Sequence, residues 1–115
     1  MAERYDLRID QGSDKTLTLI FKDSEKHLLD LTGYSAYMQA RIHPAVSEVA
    51  LDLSTDNGLI IITPLEGKVV IKFPKELTSA IRATKYYYDL ELVSDTETVR
   101  VIEGTLNLSQ EVTRV

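Results

Sequence analysis

Two histidines and a scatter of carboxylates carry most of the reactive potential in this sequence. His27 sits in a polar stretch beside Lys26, and His43 falls at the end of an alternating segment, just before Pro44. A histidine becomes a general acid, a base or a metal ligand when a carboxylate, a nucleophile or a second histidine meets it at a fixed spacing. Neither has such a neighbour in sequence, and both read as surface residues. Asp14, Asp23, Glu25 and Asp30 cluster loosely, without the ligand spacing of a twelve-residue calcium loop. They read as solvated turns, as do Asp52, Asp56 and Asp95. No serine lies in a G-x-S-x-G elbow, and there is neither a Walker loop nor a dinucleotide fingerprint. The chain has no cysteine, which removes disulfides, thiolate metal sites and thiol nucleophiles. The expectation is a protein that is not an enzyme and holds no cofactor or metal.

Tyrosine is the informative excess: six, against two Phe and no Trp. Alternation turns Tyr34, Tyr86 and Tyr88 toward a core and leaves Tyr37 and Tyr87 on outer faces. Outward tyrosines near Arg4 or Arg41 have the composition of a protein contact surface, where Tyr and Arg are enriched. Tyr5, Val112, Arg114 and Val115 join them as candidate interface residues, because the two ends of the chain have little apolar period of their own. Each such tyrosine also has a plainer reading, as an ordinary cross-strand aromatic.

The elements that must position these residues are strands. Leu7 and Ile9 alternate with Arg8 and Asp10; Leu17, Leu19 and Phe21 alternate with threonine and lysine. The longest run places Tyr34, Ala36, Met38, Ala40 and Ile42 on one face and Ser35, Tyr37, Gln39, Arg41 and His43 on the other. Val49, Leu51 and Leu53 form a shorter strand. Asn57-Gly58 is a favoured hairpin dipeptide, and residues 59–63 and 68–73 read as hairpin arms about Pro64-Leu65-Glu66-Gly67. Leu77 and Ile81, four apart after Pro74, predict one short helix near 75–82. Tyr86, Tyr88, Leu90 and Leu92 resume the period of two. The apolar phase then shifts by one between Ile102 and Leu106, which predicts a β-bulge at Glu103-Gly104.

About eight short strands in 115 residues predict a single all-β domain over 1–115. The expected form is an immunoglobulin-like antiparallel β-sandwich, with a closed barrel as the other possibility. The core is drawn from Leu17, Leu19, Phe21, Met38, Ile71, Phe73, Leu90 and Leu92. The short helix followed by Tyr86-Tyr87-Tyr88 fits the sandwich corner at which a tyrosine anchors the chain. A formal net charge of -5, with Lys and Arg scattered singly, argues against nucleic acid as a partner. The apolar run Leu59-Ile60-Ile61-Ile62 is far short of the ~20 residues of a membrane helix. The first residues lack the apolar centre of a signal peptide, so the expectation is a soluble protein made in a cytoplasm.

Four segments in order carry a resemblance: residues 16–23 (TLTLIFKD), 29–41 (LDLTGYSAYMQAR), 87–92 (YYDLEL) and 99–106 (VRVIEGTL), ending in Val112-Thr113-Arg114. Together they resemble small virion proteins of tailed bacteriophages and prophages, and are similar to the β-sandwich domain at the start of some baseplate upper proteins. The likeness spans nearly the whole chain through structural motifs. It implies a multicopy tail collar or baseplate protein in the virion, bound to tail-tube, baseplate or connector proteins and to copies of itself, with no nucleic acid and no membrane. A capsid head decoration protein and a carbohydrate- or ligand-binding sandwich are the alternatives. The absence of Trp weighs against the last.

Overall fold

A computed structural model describes residues 2–113 of the chain. Its strands are β1 (Glu3–Arg4), β2 (Leu7–Asp10), β3 (Lys15–Ile20), β4 (Ser35–Arg41), β5 (Leu51–Ser54), β6 (Ile60–Thr63), β7 (Lys68–Phe73), β8 (Lys85–Val93) and β9 (Thr98–Ser109). There are nine rather than eight because Glu3–Arg4, ahead of the first alternating run, pairs with β9 as a short strand of its own. The larger sheet runs β1-β9-β8-β4-β5, with β2 following β1 along the same edge of β9, and the smaller runs β3-β7-β6. The two form an immunoglobulin-like sandwich.

Every pairing is antiparallel except two: β1 and β2 run parallel to β9. Short connections impose antiparallel pairing only on strands adjacent in sequence. β2 and β9 are joined through the rest of the domain, which supplies the long return a parallel pair needs.

The core lies between the sheets. Ala36, Met38 and Ala40 of β4 pair with Leu92, Leu90 and Tyr88 of β8, and across the sandwich Val69, Ile71 and Phe73 of β7 are fully buried. Leu17, Leu19 and Phe21, expected in the core, are only partly buried and pack against it. Their strand is the edge of the smaller sheet, so no neighbour covers one side.

Three local expectations shift. Helix α1 is a single turn, Lys75–Thr78, preceded by Pro74, and does not reach residue 82. The backbone N–H groups of Arg82 and Ala83 donate to the Tyr86 hydroxyl, at 3.1 and 2.9 Å, instead of to carbonyls of a continuing helix. The turn is held by Asp14, whose carboxylate accepts the Lys75 N–H at 2.7 Å, and by the buried Thr78 hydroxyl, which donates to the Ser13 carbonyl at 2.8 Å. The bulge in β9 lies at Val101, not at Glu103-Gly104: Leu90 pairs with Ile102 and Glu91 with Arg100, leaving Val101 extra. Asn57-Gly58 closes no hairpin, since β5 pairs with β4 and β6 with β7; the turn carries the chain from one sheet to the other. The hairpin about residues 64–67 is present, a 3-10 turn ended by Gly67 at φ +58°.

Gly104 has another task. A Cβ there would strike the Tyr5 carbonyl oxygen and lie 2.9 Å from Asp6 Oδ1. The missing side chain lets Tyr5-Asp6 cross between β1 and β2. Asp6 then accepts the Thr105 N–H at 2.9 Å, filling the gap in the β-ladder with a side-chain oxygen, and the buried Tyr88 hydroxyl donates to the Tyr5 carbonyl.

Candidate functional site

Strand alternation, having buried one side of the larger sheet, leaves the other as an open face. β4 presents Tyr37, Gln39 and Arg41; antiparallel to it, β8 places Glu91, Asp89 and Tyr87 directly opposite. On the far side of β8, Arg100 stands opposite Glu91 and Glu103 opposite Asp89, and Arg4 of β1 stands beside Glu103. These residues line a shallow groove of about 700 Å³. Four of the residues singled out from sequence, Arg4, Tyr37, Arg41 and Tyr87, meet there.

Each ring in the groove is held. Tyr37 donates its hydroxyl to Asp56 Oδ2 at 2.9 Å, a bond to a carboxylate that pushes the phenol above its ordinary pKa. Tyr87 has the His43 ring edge-on at 6.3 Å between centroids and the Lys85 ammonium 5.2 Å from its own; a cation over a ring face is attracted by its quadrupole. His43 accepts the Ala45 N–H on Nδ1 at 3.2 Å, so it braces both the loop and Tyr87. His27 lies elsewhere, with Nδ1 3.6 Å from Asp23 on an exposed turn.

The charges divide into those already paired within the face and those left over. Asp89 and Glu103, like charges directly opposite, are bridged by Arg100 at 3.3 and 3.2 Å, and the Glu103 bond, with the nearby Asp89 charge, raises the guanidinium pKa. Arg4 is paired with Asp6 at 3.1 Å. Arg41 spends its donors on neutral acceptors, the carbonyls of Val46 and Ser47 and Gln39 Oε1, at 2.6 to 2.9 Å. Among the described residues Arg41, Lys85 and Glu91 make no ion pair.

The remaining sequence candidates fall elsewhere. Tyr5 is 47% exposed beside Arg4, outside the groove lining. Val112 is exposed near a smaller hollow of about 430 Å³ that it shares with Gln11, Arg82, Gln110 and Glu111. Arg114 and Val115 lie outside the described residues. Sequence reasoning did not single out Gln39, Asp89, Glu91, Arg100 or Glu103. The signal was present for the first three, since the alternation that turns Tyr37 and Tyr87 outward turns them outward too. What was missing was the strand order that makes neighbours of β4, β8 and β9.

Among the described residues no group of three or more His, Asp or Glu side chains converges as metal ligands would, and no helix is long and apolar enough to cross a membrane. The fold and the groove define an immunoglobulin-like sandwich with a tyrosine- and arginine-bearing sheet face. No family model and no curated protein matches the chain.

Proposed function

We propose that this protein is a non-enzymatic structural component of a tailed-bacteriophage virion, a multicopy collar or baseplate protein that assembles through protein–protein contacts. The resemblance over four segments supplies the phage setting. The observation that carries the assembly role is the convergence of Arg4, Tyr37, Arg41 and Tyr87 on one open sheet face. Tyrosines with restrained rings and an arginine, Arg41, fixed by hydrogen bonds give contact area with little ordering left to lose. The face is flat and shallow, suited to another protein surface more than to an enclosed small molecule.

The test is to locate the protein in purified particles by electron microscopy and count its copies, then repeat with Tyr87→Ala. The expected result is density at the tail in several symmetric copies, with the variant incorporated less while keeping its melting temperature. Density on the capsid would make it a head decoration protein. Absence from particles, or specific glycan binding on an array, would overturn the proposal.

A further inference from the structure

The open face of the larger sheet has a symmetry of its own. Register fixes three rows across β4 and β8: Tyr37 with Glu91, Gln39 with Asp89, and Arg41 with Tyr87. The outer rows lie four residues apart, roughly 13 Å at about 3.3 Å per residue. One outer row carries leftover negative charge, Glu91, next to the Tyr37–Asp56 pair. The other carries leftover positive charge, Arg41, with the Lys85 ammonium drawn in over Tyr87. The middle row carries net negative charge: Asp52 of β5 stands opposite Gln39, and Arg100 is shared between Asp89 and Glu103.

We propose that this face pairs with a second copy of the chain about a two-fold axis crossing the strands at the Gln39–Asp89 row. A two-fold in the plane between the faces, perpendicular to the strands, exchanges the outer rows and leaves the acidic middle row on itself, a repulsion that the doubled outer contacts must outweigh. It sets Arg41 against the partner's Tyr37 and Asp56, and Tyr87 with its Lys85 ammonium against the partner's Glu91. The same contacts form a second time by symmetry, as an isologous interface requires. The occupant is a second copy because the complement of each charged end is found at the other end of the same face.

The size of the face sets the strength. Five strands at about 4.8 Å spacing by seven residues at about 3.3 Å give a face of roughly 24 by 23 Å. Two such faces bury an area near the small end of specific interfaces, below about 1,200 Å² in total. Pairing is therefore weak in free solution and becomes effective where copies are concentrated, as on a symmetric particle. The inference rests on reading the chain as an assembly module and specifies the contact that module makes.

Sedimentation velocity of the full chain, from micromolar to millimolar and at low and high salt, tests it. The wild type is expected to form a dimer that dissociates with dilution and with salt. Lys85→Glu and Glu91→Lys should each weaken pairing about tenfold or more, since like charges then face each other twice. The two changes combined in one chain, or the two single variants mixed, should restore it. Arg41→Glu gives the same direction, but Arg41 also anchors the loop at Val46 and Ser47; Lys85 and Glu91 hold no such loop, and circular dichroism confirms that each variant is folded. A wild type that stays monomeric to millimolar concentration overturns the inference, as does a combined variant no better than its parents. A chain that pairs in solution yet is absent from purified particles would overturn the virion reading and leave the pairing standing.

Discussion

The Tyr86 hydroxyl oxygen accepts the backbone N–H of Ala83 at 2.9 Å, and this contact turns the chain from the smaller sheet into the larger. The ring is 3% exposed, so its oxygen reaches the corner from within the core. It also takes the Arg82 N–H, so one phenol satisfies two donors that have left a helical turn.

Tyr86→Phe keeps the ring and removes that acceptor. Two backbone donors at a partly buried corner then lose their partner, at a cost of about 1–3 kcal/mol. Urea unfolding should show this loss with an unchanged slope, and amide exchange at Arg82 and Ala83 should quicken first.

Gly104→Ala places a methyl group against the Tyr5 carbonyl and Asp6 Oδ1. The first strand must then lift from β9, breaking the Tyr88–Tyr5 and Thr105–Asp6 hydrogen bonds together. Overpacking of this kind costs about 1–3 kcal/mol. Exchange at residues 3–8 should rise well before the rest of the larger sheet loosens.

Acid should reach the same seam. The Asp6 carboxyl is held below the ordinary aspartate range, chiefly by the Thr105 N–H, with partial burial opposing and Arg4 assisting. Asp30 is lowered too, by the Thr32 hydroxyl and then the Thr32 N–H. A carboxyl depressed in the folded state contributes stability that is complete above its unfolded pKa, about 4, and is lost as pH falls through the folded value. Asp6→Asn should therefore be less stable than wild type at pH 7, with the gap closing toward pH 2. Urea midpoints across that range will show whether it closes.

Gln11 ties three segments with one side chain: its Nε2 donates to the Ile81 carbonyl at 2.9 Å, and its Oε1 accepts the Glu111 N–H at 2.9 Å. Gln11→Ala should release residues 110–113 and cost about 1–2 kcal/mol. Faster exchange at Glu111 with the β-sheet amides unaffected would confirm the tie; uniform loosening would refute it.

How much of this was legible follows from what a period of two can say. It placed Met38, Leu90 and Leu92 inside and Tyr37 and Tyr87 outside, because each face of a strand answers only to burial. It could not say that Leu17 lies on an edge, since edge and centre differ by a neighbour the strand does not itself encode. The phase shift before Leu106 revealed the bulge but misplaced it, because Val101, the extra residue, is itself apolar and hides the slip. Gly104, credited with that bulge, instead admits the first strand. The groove required Asp89 and Glu103 to be neighbours, 14 positions apart in sequence, and only β8–β9 pairing reveals it.

The parallel seating of β2 on β9 also sets the order in which this protein can be born. Asp6 and Thr105, hydrogen-bonded in the finished sheet, are 99 positions apart. On a ribosome, residues 7–10 emerge early and wait for residues 106–109 before their ladder can close. β2, made long before β9, is thus among the last strands to dock, and a chain of such long-range contacts folds slowly. Until β9 emerges, Leu7 and Ile9 remain exposed to water and to every neighbouring nascent chain.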